Sequence, residues 1–158
     1  MQILANVVEL WVFSQAEASP RYLVIEASQE KADAFFGGHR FWQIPGTSVA
    51  ENDEATVAAL RRGLAEFGLT ASALWAVEYV STIFNRRFDA MQIVPTFAAE
   101  VLGLPEPNLD AFEYGAFEWA DAQRVENLLP FRTHQESFIQ LRRYITECSE
   151  PLGVFRMD

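Results

Sequence analysis

The chain opens with a dense apolar run, Val7-Val8-Glu9-Leu10-Trp11-Val12-Phe13, and repeats the same β-forming character at Tyr22-Leu23-Val24-Ile25 after Ala16-Glu17-Ala18-Ser19-Pro20. Two strands joined by a hairpin-like turn account for this spacing. Gly37-Gly38 interrupts the pattern, and Phe41-Trp42-Gln43-Ile44 reads as a short strand ended by the turn-forming pair Pro45-Gly46, with a loop following. Between Glu54 and Phe67 the period changes: Val57, Leu60, Leu64 and Phe67 recur three and four residues apart, so they share one helical face. Asn52 or Asp53 is expected to cap that helix, and Gly68 to end it in the left-handed conformation. Leu74 to Ile83 and Met91 to Val101 predict two longer strands about Asn85-Arg86-Arg87, and Tyr114 to Trp119 predicts another. A loop at Gly103 to Asn108, a short helix from Asp121 to Leu128 and a longer one from Thr133 to Cys148 complete the pattern, the last carried by Phe138, Leu141 and Ile145.

This order of strands, helix, strands and helix predicts an α/β domain over residues 1–150, with 151–158 as a C-terminal tail. Composition agrees with one core, because half of the 158 residues are hydrophobic and 13 are Phe. The single cysteine, Cys148, leaves no disulfide within the chain, and the apolar runs are too short to span a bilayer. Without a basic, cleavable leader in the sequence, the expected location is the cytoplasm. A net charge of −10 argues against binding to nucleic-acid backbones or anionic membranes, and leaves small molecules as the expected partners. Residues 100–126 hold seven carboxylates against Arg124 alone, which reads mainly as a solvated acidic rim.

The segment Phe41-Trp42-Gln43-Ile44-Pro45-Gly46-Thr47 through Asn52-Asp53-Glu54, continued by Arg61-Arg62-Gly63-Leu64-Ala65-Glu66-Phe67-Gly68-Leu69, resembles the Nudix box. That pattern is a glycine, five residues, a glutamate, seven residues, and Arg-Glu-aliphatic-x-Glu-Glu-x-Gly-aliphatic. Anchored on Gly68, the register sets Thr47 at the leading glycine, Asp53 at the first glutamate and Arg61 at the arginine. Arg62 then stands for a glutamate, Gly63 for the aliphatic residue and Ala65-Glu66 for the glutamate pair, so the box is degenerate. Glu113 through Phe117-Glu118-Trp119 also looks like the family's later Glu-His-x-x-x-x-Trp signature, with Tyr114 at the histidine. The Phe41-Trp42-Gln43 stretch, Ser48-Val49 and the terminal helix approached through Thr133-His134-Gln135 look most like dATP or dihydroneopterin triphosphate pyrophosphohydrolases.

The resemblance implies a single Nudix-like α/β/α sandwich with a mixed sheet. It further implies an Mg²⁺- or Mn²⁺-dependent hydrolase cleaving a phosphoanhydride bond in a nucleoside triphosphate or nucleoside diphosphate-linked substrate. Hard cations prefer carboxylate oxygens, which a helix can gather at positions i, i+3 and i+4. Carried over residue by residue, the metal ligands are Glu66, Glu113 and Asp53, and the catalytic set is Glu66, Glu113 and Arg61. Trp42, Arg62, Tyr79 and Arg132 are the candidates for substrate binding, with Phe84 a further candidate for stacking on a base; Arg86, Arg87 and His134 are further candidates for phosphate. Each has a structural alternative: an Arg62–Glu66 ion pair, an Asp53 cap, a solvated Arg61, and core packing for Trp42 and Tyr79. Because two of the three helix carboxylates are replaced, a weakened hydrolase competes with a catalytically inactive domain that binds a nucleotide, a metabolite or a protein partner. A homodimer is compatible with the family, though no residue marks its surface.

Overall fold

The computed structural model describes residues 1–158. Its strands are β1 (Gln2–Leu4), β2 (Val7–Ser14), β3 (Arg21–Ala27), β4 (Trp42–Gln43), β5 (Gly46–Ser48), β6 (Ala73–Asn85), β7 (Ala90–Glu100) and β8 (Tyr114–Ala120). Its helices are α1 (Gln29–Phe35), α2 (Thr56–Glu66), α3 (Ala122–Leu128) and α4 (Arg132–Leu141), the last running on into a π-helical turn at Arg142–Thr146.

One mixed sheet organises the chain. β2 pairs in parallel with β7, while β6–β7, β2–β3 and β3–β8 are antiparallel; β1 extends along β7, and short β5 and β4 fill the edges of β2 and β3. β2 reads as a nearly continuous apolar run because both of its faces are covered. Val8, Leu10 and Val12 pack with Leu60 and Leu64 of α2, whereas Trp11 and Phe13 pack with Val125 of α3 and Phe138 and Leu141 of α4. Strand alternation therefore builds two cores on opposite sides of one sheet, giving the α/β/α sandwich.

Three expectations from the sequence need correction. The stretch after Pro45 is the strand β5 rather than a loop, with Gly46 opposite Glu9 of β2; a side chain at Gly46 would come within 3.0 Å of the Val8 carbonyl oxygen. Helix α1 was not foreseen, because seven residues are too few to establish a helical period; Ser28 caps it by accepting from the Lys31 amide at 3.0 Å. Neither Asn52 nor Asp53 caps α2, which begins after Ala55 without a side-chain cap. Asp53 instead accepts from the Ala50 amide at 2.7 Å, so it closes the loop ahead of the helix. Gly68 does take the left-handed conformation, at φ 69°, and the Asn108 side chain occupies the space where a Cβ would sit.

Residues 151–158 pack on the sheet. Phe155 is buried, the Met157 amide donates to the Leu74 carbonyl, and Asp158 accepts from the Leu74 amide at 3.0 Å while pairing with Arg61 and Arg156. Those contacts hold the Asp158 carboxyl below its ordinary pKa, the Arg156 hydrogen bond contributing most. No helix is long and apolar enough to cross a membrane.

Candidate functional site

At the end of the sheet beyond α4, two adjoining cavities of about 430 Å³ and about 570 Å³ share Glu9, Gln43, Ile83 and Asn85. The first lies toward α2 and is lined by Gly46, Thr47, Ser48, Glu66, Arg87, Gln92, Glu113 and Tyr114, among others. The second is walled by Phe36, Phe41, Phe84 and Phe131, with His39, Arg40, Arg86 and His134 between them. Thus one end is acidic and polar, and the other is aromatic and basic.

The box helix lies against β5 through a reciprocal change of side-chain size. A Cβ built on Gly63 would stand 2.6 Å from Thr47 Cβ and 2.7 Å from Thr47 Cγ2, distances that no packed side chain tolerates. Where the box pattern has a glycine in the loop and an aliphatic residue in the helix, this chain has Thr47 and Gly63. The pair keeps α2 seated while exchanging which partner fills the gap.

Charge is altered at the same place. The Arg62 guanidinium donates to both Asp53 oxygens, at 2.8 and 3.3 Å, to the Ser48 carbonyl at 2.5 Å and to Glu66 at 3.3 Å. Asp53 is held below the ordinary carboxylate pKa, first by its hydrogen bond from Arg62 and next by the Ala50 amide; the same pair raises Arg62. A fixed cation therefore ties the loop to the helix, whereas Ala65 presents only a methyl group.

Across the cavity, Glu113 is fully engaged. Lys31 Nζ lies 2.7 Å from one carboxylate oxygen and Arg87 Nη1 donates to the other at 2.8 Å. Lys31 also sits over the Tyr114 ring at 5.4 Å, and Arg87 over Phe35 at 4.8 Å. Burial pushes the Glu113 pKa up, but the hydrogen bonds from Lys31 and Arg87 together outweigh it and leave the carboxyl lower than usual. Burial likewise pushes the neighbouring Tyr114 hydroxyl up to about 12, so it stays neutral at physiological pH.

This sets the sign of an acid dependence. A depressed folded-state pKa contributes stability above the unfolded-state value, and that contribution disappears as pH falls through the folded-state value. Glu113→Gln is therefore expected to lower stability at pH 7 by ~1 kcal/mol, a modest figure because exposure leaves water to screen the ion pairs. Its unfolding curve should converge with that of the parent below about pH 4, near and under the ordinary glutamate value. Urea melts across this range check the convergence; a constant gap at every pH would assign the loss to packing.

Of the residues singled out from the sequence, Glu66 and Glu113 line one cavity together, and Arg86, Arg87 and His134 also reach the cleft. The others lie elsewhere. Asp53 is engaged by Arg62, and Arg61 pairs with Asp158 at 2.9 Å. Trp42 and Tyr79 pack on the α4-side core, where the Tyr79 hydroxyl donates to Glu136 at 2.5 Å; Arg132 pairs with that glutamate from an exposed position. Burial, followed by Glu136, pushes the Tyr79 pKa up to about 12. Sequence reasoning singled out Phe84 of the phenylalanine wall and missed the rest of it, together with Glu9, Gln43 and Lys31. The available signal was a single carboxylate inside an otherwise apolar strand, together with aromatics clustered about Gly37-Gly38-His39-Arg40 and Pro130-Phe131.

This three-layer architecture, with the loop–helix–loop beside the cleft, is the Nudix fold. A Nudix hydrolase from Listeria monocytogenes superposes with a TM-score of 0.72 at 15% identity, covering 91% of this chain and 96% of that one. The Nudix domain of Shewanella oneidensis NrtR, solved with ADP ribose, gives 0.68 at 16% identity over 92% and 89% of the two chains. The Escherichia coli dihydroneopterin triphosphate pyrophosphohydrolase gives 0.64 at 15% identity over 92% and 99%. No family model and no curated protein matches the sequence.

The Mg²⁺ or Mn²⁺ implied by the box does not fit the donor set in this chain. No group of three His, Cys, Asp or Glu side chains is placed to hold a metal. Arg62 lies among the carboxylates that would serve, and Lys31 and Arg87 occupy both oxygens of Glu113. A divalent cation would meet Arg62 at Asp53 and Glu66, and Lys31 and Arg87 at Glu113 across the cavity.

Proposed function

We propose that this chain is a Nudix-fold binding domain for a phosphorylated small molecule with a planar ring, and that it does not depend on metal-assisted hydrolysis. The observation carrying this reading is the Arg62 guanidinium, which pairs with both Asp53 and Glu66 where the box would gather a cation. The phenylalanine wall offers faces on which a ring can stack. Arg86, which pairs with no carboxylate, offers a guanidinium donor for phosphate, beside Arg40, which pairs with Glu26 at 3.1 Å. ADP ribose in the Shewanella domain and the triphosphate named for the Escherichia coli enzyme have the corresponding chemistry, a planar heterocycle linked to phosphate.

A second reading, a hydrolase with a weakened metal site, is favoured by the shared exposure of Glu66 and Glu113 to one cavity. Release of phosphate and pyrophosphate from a panel of nucleoside triphosphates, dinucleoside polyphosphates and ADP ribose, with Mg²⁺ or Mn²⁺, separates the two. Calorimetric titration of the same compounds in EDTA supplies the binding arm. The expected result is saturable binding without metal and no turnover above the blank. Metal-dependent turnover would overturn the binding reading, and absence of binding by every compound would remove its basis.

A further inference from the structure

The two cavities meet at a pair of polar side chains that the protein leaves unsatisfied. Glu9 stands between buried Val8 and Leu10 on β2; its Oε1 lies 3.0 Å from His134 Nε2, while its Oε2 is buried and meets no hydrogen-bonding group. Gln43 Nε2 is likewise buried without a partner. Thr96, directly opposite Glu9 in the parallel pairing, also leaves its hydroxyl oxygen unmatched. Buried polar atoms in folded proteins are paired as a rule, and unpaired ones beside a cleft mark the chemistry that a ligand there can meet.

That chemistry is directional. A carboxylate only accepts, through two oxygens, and can take two parallel N–H donors; the amide nitrogen of Gln43 only donates. Glu9 therefore calls for two neighbouring N–H groups, with His134 sharing Oε1, and Gln43 calls for an acceptor beside them. Two adjacent N–H donors next to a carbonyl form the edge of a 2-amino-4-oxopyrimidine ring, as in guanine and pterins. Hypoxanthine lacks the amino donor, and adenine presents a bare ring nitrogen where the second N–H should be.

We infer that Glu9 and Gln43 read the 2-amino-4-oxopyrimidine edge of a guanine or pterin ring lying between the aromatic wall and the sheet. This rests on the cleft being the phosphorylated-ligand site proposed above. Phe41, Phe84 and Phe131 flank the ring, and Arg86 remains for its phosphate. Glu9 selects the ring, and His134 acts as a positioning residue that fixes the carboxylate through Oε1.

Titration of the full chain with GMP, IMP, AMP, guanosine and neopterin in EDTA tests the assignment. GMP should bind at least about 10-fold more tightly than IMP or AMP, the scale of one charge-assisted hydrogen bond. Comparison of guanosine with neopterin, neither of which carries a phosphate, tells whether the source is a purine or a pterin. In Glu9→Gln, whose amide offers one accepting oxygen where the carboxylate offers two, GMP affinity should fall by at least about 10-fold and by more than IMP affinity, so that the preference for GMP over IMP vanishes. If that variant does not fold, GMP against IMP on the parent decides by itself. Equal affinity for GMP, IMP and AMP overturns the ring assignment and leaves the binding site standing; no binding by these ligands or by ADP ribose overturns both.

Discussion

Gly63→Leu should cost this domain ~3 kcal/mol or more, because the first atom of the new side chain already falls 2.6 Å from Thr47 Cβ. For a domain of this size that corresponds to a fall in Tm of roughly 6–12 °C. Neither neighbour can yield cheaply: Thr47 is buried in β5, paired to Val8, and Gly63 faces it from the interior of α2. Thr47→Gly alone should cost about 1 kcal/mol by opening a small void and loosening the strand. The double variant should recover most of the loss, giving a coupling of about 3 kcal/mol in a double-mutant cycle measured by urea unfolding. Additive losses would show that the two residues do not share one space, and would withdraw the reciprocal exchange that relates this box to the family pattern.

The second large effect is expected from Arg62→Glu combined with Ala65→Glu. Without metal, the variant should be less stable than the parent, since Asp53 and Glu66 lose their cation and two further carboxylates join them. Adding Mn²⁺ should reverse this. A cation at 100 times its Kd contributes ~2.7 kcal/mol, which is a rise in Tm of roughly 5–11 °C, whereas the parent should not respond. Differential scanning calorimetry in EDTA and in Mn²⁺ reads both changes. A folded double variant indifferent to Mn²⁺ would reject the register that places Arg62 and Ala65 at lost ligand positions. Turnover on the hydrolysis panel is a separate outcome, because Glu113 would still be held by Lys31 and Arg87.

These two experiments probe the same exchange by size and by charge. In both, a residue the box pattern specifies is replaced and a contact is rebuilt locally: Thr47 fills the space above Gly63, and Arg62 bridges the carboxylates. The loop and helix remain joined because the geometry needs an occupied gap and a cation between the carboxylates, and more than one residue set supplies each.

The linear sequence was sufficient for the long elements. Val57, Leu60 and Leu64 announce α2 by period, β2 and β7 announce themselves by apolar runs, and Gly68 marks the helix end. These are local signals, since each follows from the spacing of side chains along one segment. What required the tertiary structure was every pairing across segments. Glu9 becomes a candidate ligand contact only when β4 brings Gln43 beside it and α4 brings His134. Glu113 is disarmed only when α1 and the β6–β7 turn carry Lys31 and Arg87 to it, and Arg61 is drawn away by Asp158, 97 residues distant. Hydrophobic period is written in neighbours three or four residues apart, whereas the state of a charged side chain depends on which distant group the folded chain sets within hydrogen-bonding reach. That is why the fold was legible in the sequence, and the chemistry of its cleft was decided by the packing.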